Sequence, residues 1–147
     1  MVNSEYNNLG IGIISIMSVL NKLEVLAIEK VFLILPIITN SELLSYLGRK
    51  DVEMMGIEQL IPHKIKCFVN FNKRFYDNLS LCINSLQYLF DMKYISINGS
   101  LIMKNKDLPF DKKMGKRAER IYNASERISK LLKENSNKLY LNLKVEL

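Results

Sequence analysis

The sequence is poor in several residue types on which particular protein classes depend. Its 147 residues include two cysteines, three prolines, one histidine and no tryptophan. Two cysteines are too few for a disulfide scaffold, and six glycines with three prolines exclude collagen-like and low-complexity chains. Global disorder is excluded because 48% of the residues are hydrophobic, and their burial offsets the loss of chain entropy. We therefore expect a single domain over residues 1–147.

The motifs of the common catalytic and metal sites are also missing. A single histidine, His63, excludes HExxH and paired-histidine motifs, and the sequence has neither a phosphate-binding P-loop nor a Gly-x-Ser-x-Gly elbow. The nearest acidic pair, Asp51 and Glu53, offers fewer oxygen ligands than a cation usually needs. Cys67 and Cys82 lack the spacing of metal ligands, and we interpret both as small core residues. We expect no enzyme activity, no metal and no cofactor.

The apolar segments are too short and too interrupted to predict a membrane-spanning helix. The stretch from Leu9 to Leu20 has twelve residues before polar and charged residues follow, whereas a spanning helix needs about 20. The first eight residues contain Glu5 and no lysine or arginine, which is unlike a secretory signal. We therefore expect a cytoplasmic protein without membrane contact.

Hydrophobic patterning predicts helices from residue 1 to residue 92. Leu9–Leu23 and Glu24–Leu35 are predicted as apolar helices, the second ended by Pro36. A helical turn is predicted near Ile57–Ile61, and a longer helix over Ile65–Met92.

A capping box precedes a further short helix. In Thr39-Asn40-Ser41-Glu42 the Thr39 hydroxyl is predicted to cap the backbone of Glu42. The helix Ser41–Leu47 should then end at Gly48 in the left-handed conformation.

The pattern changes after residue 92. Asn98-Gly99 between two apolar runs predicts an antiparallel hairpin over 94–104 with a type I′ turn. A basic amphipathic helix is predicted over 113–134. Alternating apolar residues predict a C-terminal strand over 138–146.

This order of elements predicts a mainly α fold with a small antiparallel β element, a winged-helix-like single domain. The helix ending at Met92 would lead into the wing. The C-terminal strand would either join the wing sheet or add to a sheet edge of another chain. The second possibility makes Leu141, Leu143 and Val145 candidate partner-interface residues.

The net charge of +6 comes entirely from the last part of the chain. Residues 1–103 hold nine basic and nine acidic residues, whereas residues 104–147 hold twelve basic and six acidic ones. Candidate contacts to DNA or to an acidic partner are Lys112, Lys113, Lys116, Arg117 and Arg120. On one helix four of these cations share a stripe and repel one another unless phosphates or acidic groups lie near. The alternative is a solvated helix face, partly neutralised by Asp111 and Glu119.

Several segments occur in an order that is typical of one protein family. Tyr6-Asn7-Asn8 precedes an apolar helix, which Asn8 is placed to cap. Val31–Thr39 is an apolar block with a proline, and Leu79–Lys104 is a leucine-rich helix that runs into a hairpin. Ala124–Leu147 carries small residues and then a Leu-Tyr segment. In this order the sequence resembles the middle components of bacterial three-component ABC-ATPase systems, which include Lamassu-type anti-phage defence.

The resemblance implies a non-enzymatic accessory subunit. Its partners would be an SMC/Rad50-like ABC ATPase, which senses foreign DNA, and a separate effector, often a nuclease. DNA would be reached through this complex. In this context Tyr6, Asn7 and Asn8 become candidate partner-interface residues as well.

Two alternatives remain open. One is a standalone winged-helix DNA-binding regulator, although the uncharged wing tip counts against it. The other is an enzyme with an unfamiliar centre at His63, Asp51 and Glu53.

Overall fold

The computed structural model describes the backbone of residues 2–147 and the side chains of residues 8–147. Over this range the chain is mainly helical with a small antiparallel sheet, and forms a single small domain, as predicted. The helices are α1 Val2–Leu23, α2 Ile28–Val31, α3 Ile34–Ile38, α4 Ser41–Leu47, α5 Ile57–His63, α6 Phe71–Asp77, α7 Leu79–Asp91, α8 Lys116–Leu131 and α9 Ser136–Leu143. The strands are β1 Val25–Ala27, β2 Ile95–Asn98 and β3 Leu101–Lys104, and 3-10 turns cover Ile65–Cys67 and Lys112–Met114.

Helix α1 is the central element of the core. It packs against both α7 and α8, and its Ile16, Met17 and Leu20 side chains are completely buried. This confirms the predicted apolar helix. The approach to α7 is so close that a Cβ atom on Gly12 would lie 2.1 Å from the Ser85 Oγ. Any larger residue at position 12 would therefore force Ser85 to shift.

The predicted second apolar helix, Glu24–Leu35, is wrong. Glu24 turns the chain with a φ of 68°, and the segment then forms β1, α2 and the start of α3. Leu26 of β1 faces Ile102 of β3, so pairing with a strand far along the chain overrides the local helical pattern. Pro36 does not end a helix. It lies in the first turn of α3, where an N–H would have no helical partner.

The sheet is antiparallel in the order β1-β3-β2. It confirms the predicted hairpin, but the turn differs from the predicted one. Asn98 faces Leu101, so the loop residues are Gly99 and Ser100 rather than Asn98 and Gly99. Gly99 has a φ of 61° and Asn98 is not left-handed. Glycine at the first loop position matches a type II′ turn.

Helix α4 has the predicted bounds but a different cap. The Asn40 Oδ1 accepts a hydrogen bond from the Leu43 backbone N–H at 2.9 Å, whereas Thr39 ends α3. The capping residue is therefore Asn40 and not Thr39. Gly48 ends α4 with a φ of −87°, so the predicted left-handed end is also wrong.

The predicted long helix Ile65–Met92 is interrupted. It consists of a 3-10 turn, α6 and α7, with Asn78 between the two helices. The Asn78 amide donates to the Arg74 carbonyl at 2.8 Å, a local bond of the kind that competes with helical pairing. The Arg74 guanidinium donates to the carbonyls of Pro36 and Cys67 and so holds α6 against α3. The turn predicted near Ile57–Ile61 is confirmed within α5.

The C-terminal third holds one confirmed and one wrong element. Helix α8 lies within the predicted 113–134, but the predicted strand 138–146 is mostly helix α9. The Asn135 Oδ1 caps α9 by accepting from the Asn137 N–H at 2.9 Å. Leu139 and Leu143, four residues apart, are both buried. Their spacing fits a helix as well as a strand, and burial of both against the core favours the helix.

Strand β1 is the third strand of the sheet, a place that one of the two alternatives above gave to the C-terminal segment. Helix α7 leads directly into the hairpin, which is compatible with the winged-helix prediction; that assignment stays a prediction.

None of the described helices is by itself long and apolar enough to span a membrane. The segments Ile28–Ile38 and Ser41–Leu47 reach that length and composition only as a pair bent by 105°. Their apolar side chains, among them Leu33, Ile34 and Leu43, are buried in the core.

Candidate interaction surfaces

The five cations predicted as one contact surface are divided by Gly115. Lys112 and Lys113 lie in a 3-10 turn before this residue, whose φ of 101° redirects the chain before α8 begins. The prediction that Lys113 shares a helical stripe with the later cations is therefore wrong. Lys112, Lys113, Lys116 and Arg117 are exposed, and within the described residues none of them forms an ion pair. We call these four residues the basic patch.

Arg120, the fifth predicted contact residue, is engaged within the domain. Its Nη2 donates to the Ser45 Oγ at 2.6 Å and to the Ser41 carbonyl at 3.1 Å. Two turns later on α8, the Arg127 Nη1 donates to the Leu47 carbonyl at 3.1 Å. These arginines fix α8 to both ends of α4, so Arg120 has a structural role whatever it contacts outside.

Helix α7 exposes apolar side chains along one side. Ile83 and Phe90 are 54% and 48% exposed, and at 100° per residue they point in nearly the same direction. Leu79 lies one turn before Ile83 on this side and is partly buried. We call Leu79, Ile83 and Phe90 the α7 stripe. Asp91 is the one charged residue of the whole helix.

The sequence pattern contains this surface without distinguishing it from the core. Ile83 and Phe90 widen the apolar pattern of the helix beyond its main stripe. The buried side is formed by Cys82, Ser85, Leu86 and Leu89. When apolar residues cover a wider arc of a helix than one buried side needs, part of that arc is expected to form an exposed apolar surface.

An apolar groove of about 710 Å³ opens beside the first turn of α7. Tyr76 and Leu79 line it together with Tyr140, Leu141 and Val145. Because Leu79 belongs to both, the groove is continuous with the α7 stripe. Burial raises the pKa of the Tyr140 phenol to about 12, and the Tyr140 hydroxyl donates to the carbonyl of Glu29.

The three C-terminal residues predicted to meet a partner do not share one environment. Leu141 is 78% exposed and Val145 is partly buried, and both lie at the groove. Leu143 is 3% exposed and packs in the core. Leu143 is thus no part of a surface, since α9 is a helix and not a strand.

One wall of the groove is the segment after α9. Lys144 ends this helix in the left-handed conformation with a φ of 58°. The Glu146 N–H donates to the Asn72 Oδ1 at 2.9 Å, and the Tyr76 hydroxyl donates to the Glu146 carbonyl. These bonds fasten the segment to α6.

The N-terminal candidates can be placed only in part. The side chains of Tyr6 and Asn7 lie outside the described residues. Asn8 is exposed and lies inside α1, which begins at Val2. The prediction that Asn8 caps the helix is therefore wrong.

Two of the three residues considered for an unfamiliar catalytic centre, Asp51 and His63, make structural contacts. The Arg49 guanidinium donates to Asp51 at 2.8 Å, and this hydrogen bond lowers the pKa of the Asp51 carboxyl. The His63 ring lies 5.6 Å from the ring of Tyr46. Within the described residues no hydrogen bond joins His63 to Asp51 or Glu53, so the structure adds nothing in favour of this alternative.

The two cysteines are buried and free. Burial raises the pKa of both thiols, that of Cys82 to about 12. This confirms the interpretation of Cys67 and Cys82 as small core residues, since both thiols are protonated and inaccessible.

Comparison with known families identifies a relationship that covers most of the chain. A family model described as ABC-three component (ABC-3C) system Middle Component 3 matches residues 21–147. The matched range contains the basic patch, the α7 stripe and the groove, and leaves the Tyr6–Asn8 segment outside. No curated protein and no solved structure matches the chain.

Proposed function

The chain belongs to the Middle Component 3 family of ABC-three component systems, and from this we propose that it is a non-enzymatic scaffold subunit. Membership of this family implies other components of such a system as partners. In our proposal the chain binds an SMC/Rad50-like ABC ATPase in a cytoplasmic anti-phage defence complex of bacteria. A separate effector, often a nuclease, would complete the assembly.

The observation that carries this proposal is the α7 stripe with its adjoining groove. Ile83 and Phe90 are about half exposed although both are large and apolar. Contiguous apolar surface of this kind marks an interface more often than free surface. The centres of protein interfaces are also depleted in charge, as is α7. We assign the ATPase contact to this side of the domain.

The basic patch has a separate role in the proposal. Its four exposed cations stand without ion pairs within the described residues, so they are available to a negatively charged partner. We propose that they face DNA held by the ATPase or an acidic surface of the ATPase itself. Both interactions weaken with added salt.

The test is co-expression of the chain with the ABC ATPase encoded beside it. We expect the two proteins to co-purify, and we expect Ile83→Glu with Phe90→Glu to abolish co-purification, because charges would be buried in the contact. Lys116→Glu with Arg117→Glu is the matched two-site variant on α8. If it removes co-purification, the patch meets protein; if it removes only DNA binding by the complex, the patch meets phosphates.

A clear result would contradict the assembly role. If the wild-type chain is a well-behaved monomer that never co-purifies with such a neighbour, the proposal is wrong. If the wild-type complex forms and the α7 variant also co-purifies fully, the contact does not lie on the α7 stripe.

One observation favours a second function, a standalone winged-helix DNA-binding regulator. Helix α7 leads directly into the hairpin of a three-stranded sheet, as the recognition helix of such a regulator would. The same helix carries no lysine or arginine, however, and Gly99-Ser100 at the tip is uncharged. Direct duplex binding by the chain alone, with a steep salt dependence, would favour this function.

A further inference from the structure

A polar cavity of about 480 Å³ lies between α4, the end of α5 and α8. Arg49, Lys64 and Arg120 line it with their cationic groups, and Ser41 and Ser45 add hydroxyls. Glu42 is the one carboxylate among the lining residues. The sequence pattern pointed to Arg120 but to neither Arg49 nor Lys64, because these three cations come from distant parts of the chain.

Two of the three cations are held by neutral groups. The Arg120 Nη2 donates to the Ser45 Oγ at 2.6 Å, and the Lys64 Nζ lies 4.6 Å from the centre of the Tyr46 ring. A hydroxyl or an aromatic ring orients a cation without cancelling its charge. Within the described residues neither Lys64 nor Arg120 has a carboxylate partner, so their positive charge stays available to a ligand.

The third cation is also fixed in place. The Arg49 Nε and Nη2 donate to the two oxygens of Asp51 at 3.1 and 2.8 Å. This exposed pair fixes the guanidinium plane at the edge of the cavity. Three cations then face two carboxylates, those of Asp51 and Glu42, which leaves a net positive charge around the cavity.

We propose that this cavity binds a phosphate group, from a free nucleotide or from the backbone of a nucleic acid. Three cationic groups and two hydroxyls offer more donors than the two oxygens of a single carboxylate ligand can use. A phosphate group has enough acceptor oxygens and charge to use them, and arginine and lysine are its usual protein ligands. Lys116 and Arg117 lie one turn before Arg120 on α8 and extend the positive surface away from the cavity. The site does not depend on the proposed contact with an ATPase.

The first test measures binding of the full chain to three probes at low salt: inorganic phosphate, ATP and a fluorescent DNA oligonucleotide. Lys64→Gln should weaken binding by about tenfold, the usual effect of losing a hydrogen bond to a charged group. The matched control is Lys66→Gln, since Lys66 is exposed, lies two residues away and lines no part of the cavity. It should change the affinity by less than about twofold. Equal loss in the two variants, or no binding of any probe to the wild type, would overturn the proposal.

The second test reverses the sign of the effect. Glu42→Gln removes the carboxylate from the cavity and should raise the affinity for the phosphate probes by several-fold. Glu53→Gln is the control, because it makes the same charge change outside the cavity and should leave the affinity unchanged. Unchanged affinity of the Glu42 variant would count against the site. Circular dichroism and thermal unfolding verify that each variant is folded.

The probes also identify the source of the phosphate. If ATP or inorganic phosphate binds and displaces the oligonucleotide, the ligand is a free phosphate compound. If only the oligonucleotide binds, and Lys64→Gln weakens it, the ligand is the nucleic-acid backbone. Lys64→Gln should retain co-purification with the ATPase. Failure of the wild type to co-purify would contradict the proposed function but not the phosphate site, because phosphate binding is measured on the chain alone.

Discussion

Helices α7 and α8 both pack against α1, but they present opposite chemistry to the solvent. Helix α8 buries small and apolar residues such as Ala118 and Ile121 and exposes charged ones such as Lys116 and Arg117. Helix α7 buries one apolar side and exposes another, with Ile83 and Phe90 in solvent. Because α8 is amphipathic, packing against the core buries its apolar side, whereas α7 still exposes apolar side chains to solvent after it has packed. This difference is the reason why our proposal assigns the partner contact to α7 and not to α8.

The largest expected effect concerns the buried side of α7. Burial raises the pKa of the Cys82 thiol from about 9 to about 12, so the folded protein keeps the thiol protonated until the pH approaches 12. At about pH 8 its thiolate population should be about a thousandfold lower than in the unfolded chain. In a Cys67→Ala variant, where Cys82 is the one remaining thiol, we expect Ellman's reagent to label Cys82 quickly in denaturant and at least about a hundredfold more slowly in the native protein. Fast native labelling would show that α7 detaches from the core.

The next effect concerns the crossing of α1 and α7. Gly12→Val should lower the free energy of unfolding by about 2–3 kcal/mol, because its side chain would overlap Ser85. Gly10→Ala is the control, since no atom lies within 4 Å of a Cβ placed there. It should raise stability by about 0.5 kcal/mol through helix propensity. Urea unfolding measures both changes, and equal effects would show that α1 and α7 are farther apart than described.

On the other side of α1, the fastening of α8 to α4 can be tested at Arg127. Its guanidinium donates to the carbonyls of Leu47, Lys50 and Val52. Arg127→Met should therefore lower the free energy of unfolding by about 1–2 kcal/mol, because the three backbone carbonyls lose their hydrogen-bond donor. Lys130→Met makes the same charge change on the exposed side of α8 and should cost less than about 0.5 kcal/mol. If both variants lower the free energy of unfolding equally, the effect comes from the change in net charge and not from the hydrogen bonds of Arg127.

The smallest effect on stability is expected at the α7 stripe. Ile83→Gln with Phe90→Gln should leave the free energy of unfolding within about 0.5 kcal/mol, since neither side chain is in the core. We expect the isolated chain to self-associate through its exposed apolar surface, and the same change should reduce this self-association, measured by analytical ultracentrifugation. Leu86→Gln is the control on the buried side, 6% exposed, and should be strongly destabilising. Unchanged self-association would mean that the apolar side of α7 does not drive contacts between molecules.

The positions of the hairpin around Gly99 and of the helix Ser41–Leu47 were predicted correctly from signals between neighbouring residues. The turn type of the hairpin and the capping residue of the helix were not. The larger errors, in which a whole element has another secondary structure, depend on contacts between distant residues. Residues 25–27 form a strand because β3 is available to pair with them, and Leu139 and Leu143 lie on a helix because the core accepts both.

The candidate surfaces show the same division. The basic patch was visible in the sequence because its cations are close neighbours, although the break at Gly115 was not. The cavity joining Arg49, Lys64 and Arg120 was not visible, because only the packing of α4, α5 and α8 brings these residues together. The α7 stripe could not be identified as a surface, because an apolar pattern does not distinguish a core from an interface.

The strand order β1-β3-β2 has a consequence for the order of events during synthesis. Leu26 faces Ile102, about half the length of the chain further on. A growing chain cannot complete this sheet until β3 has left the ribosome, although β1 is made early. Contacts between such distant residues slow folding, and α1 must also wait for α8. The apolar surface of α1 is thus incompletely covered until α8, which ends at Leu131, has also been made. Binding of a chaperone would protect this surface during that interval.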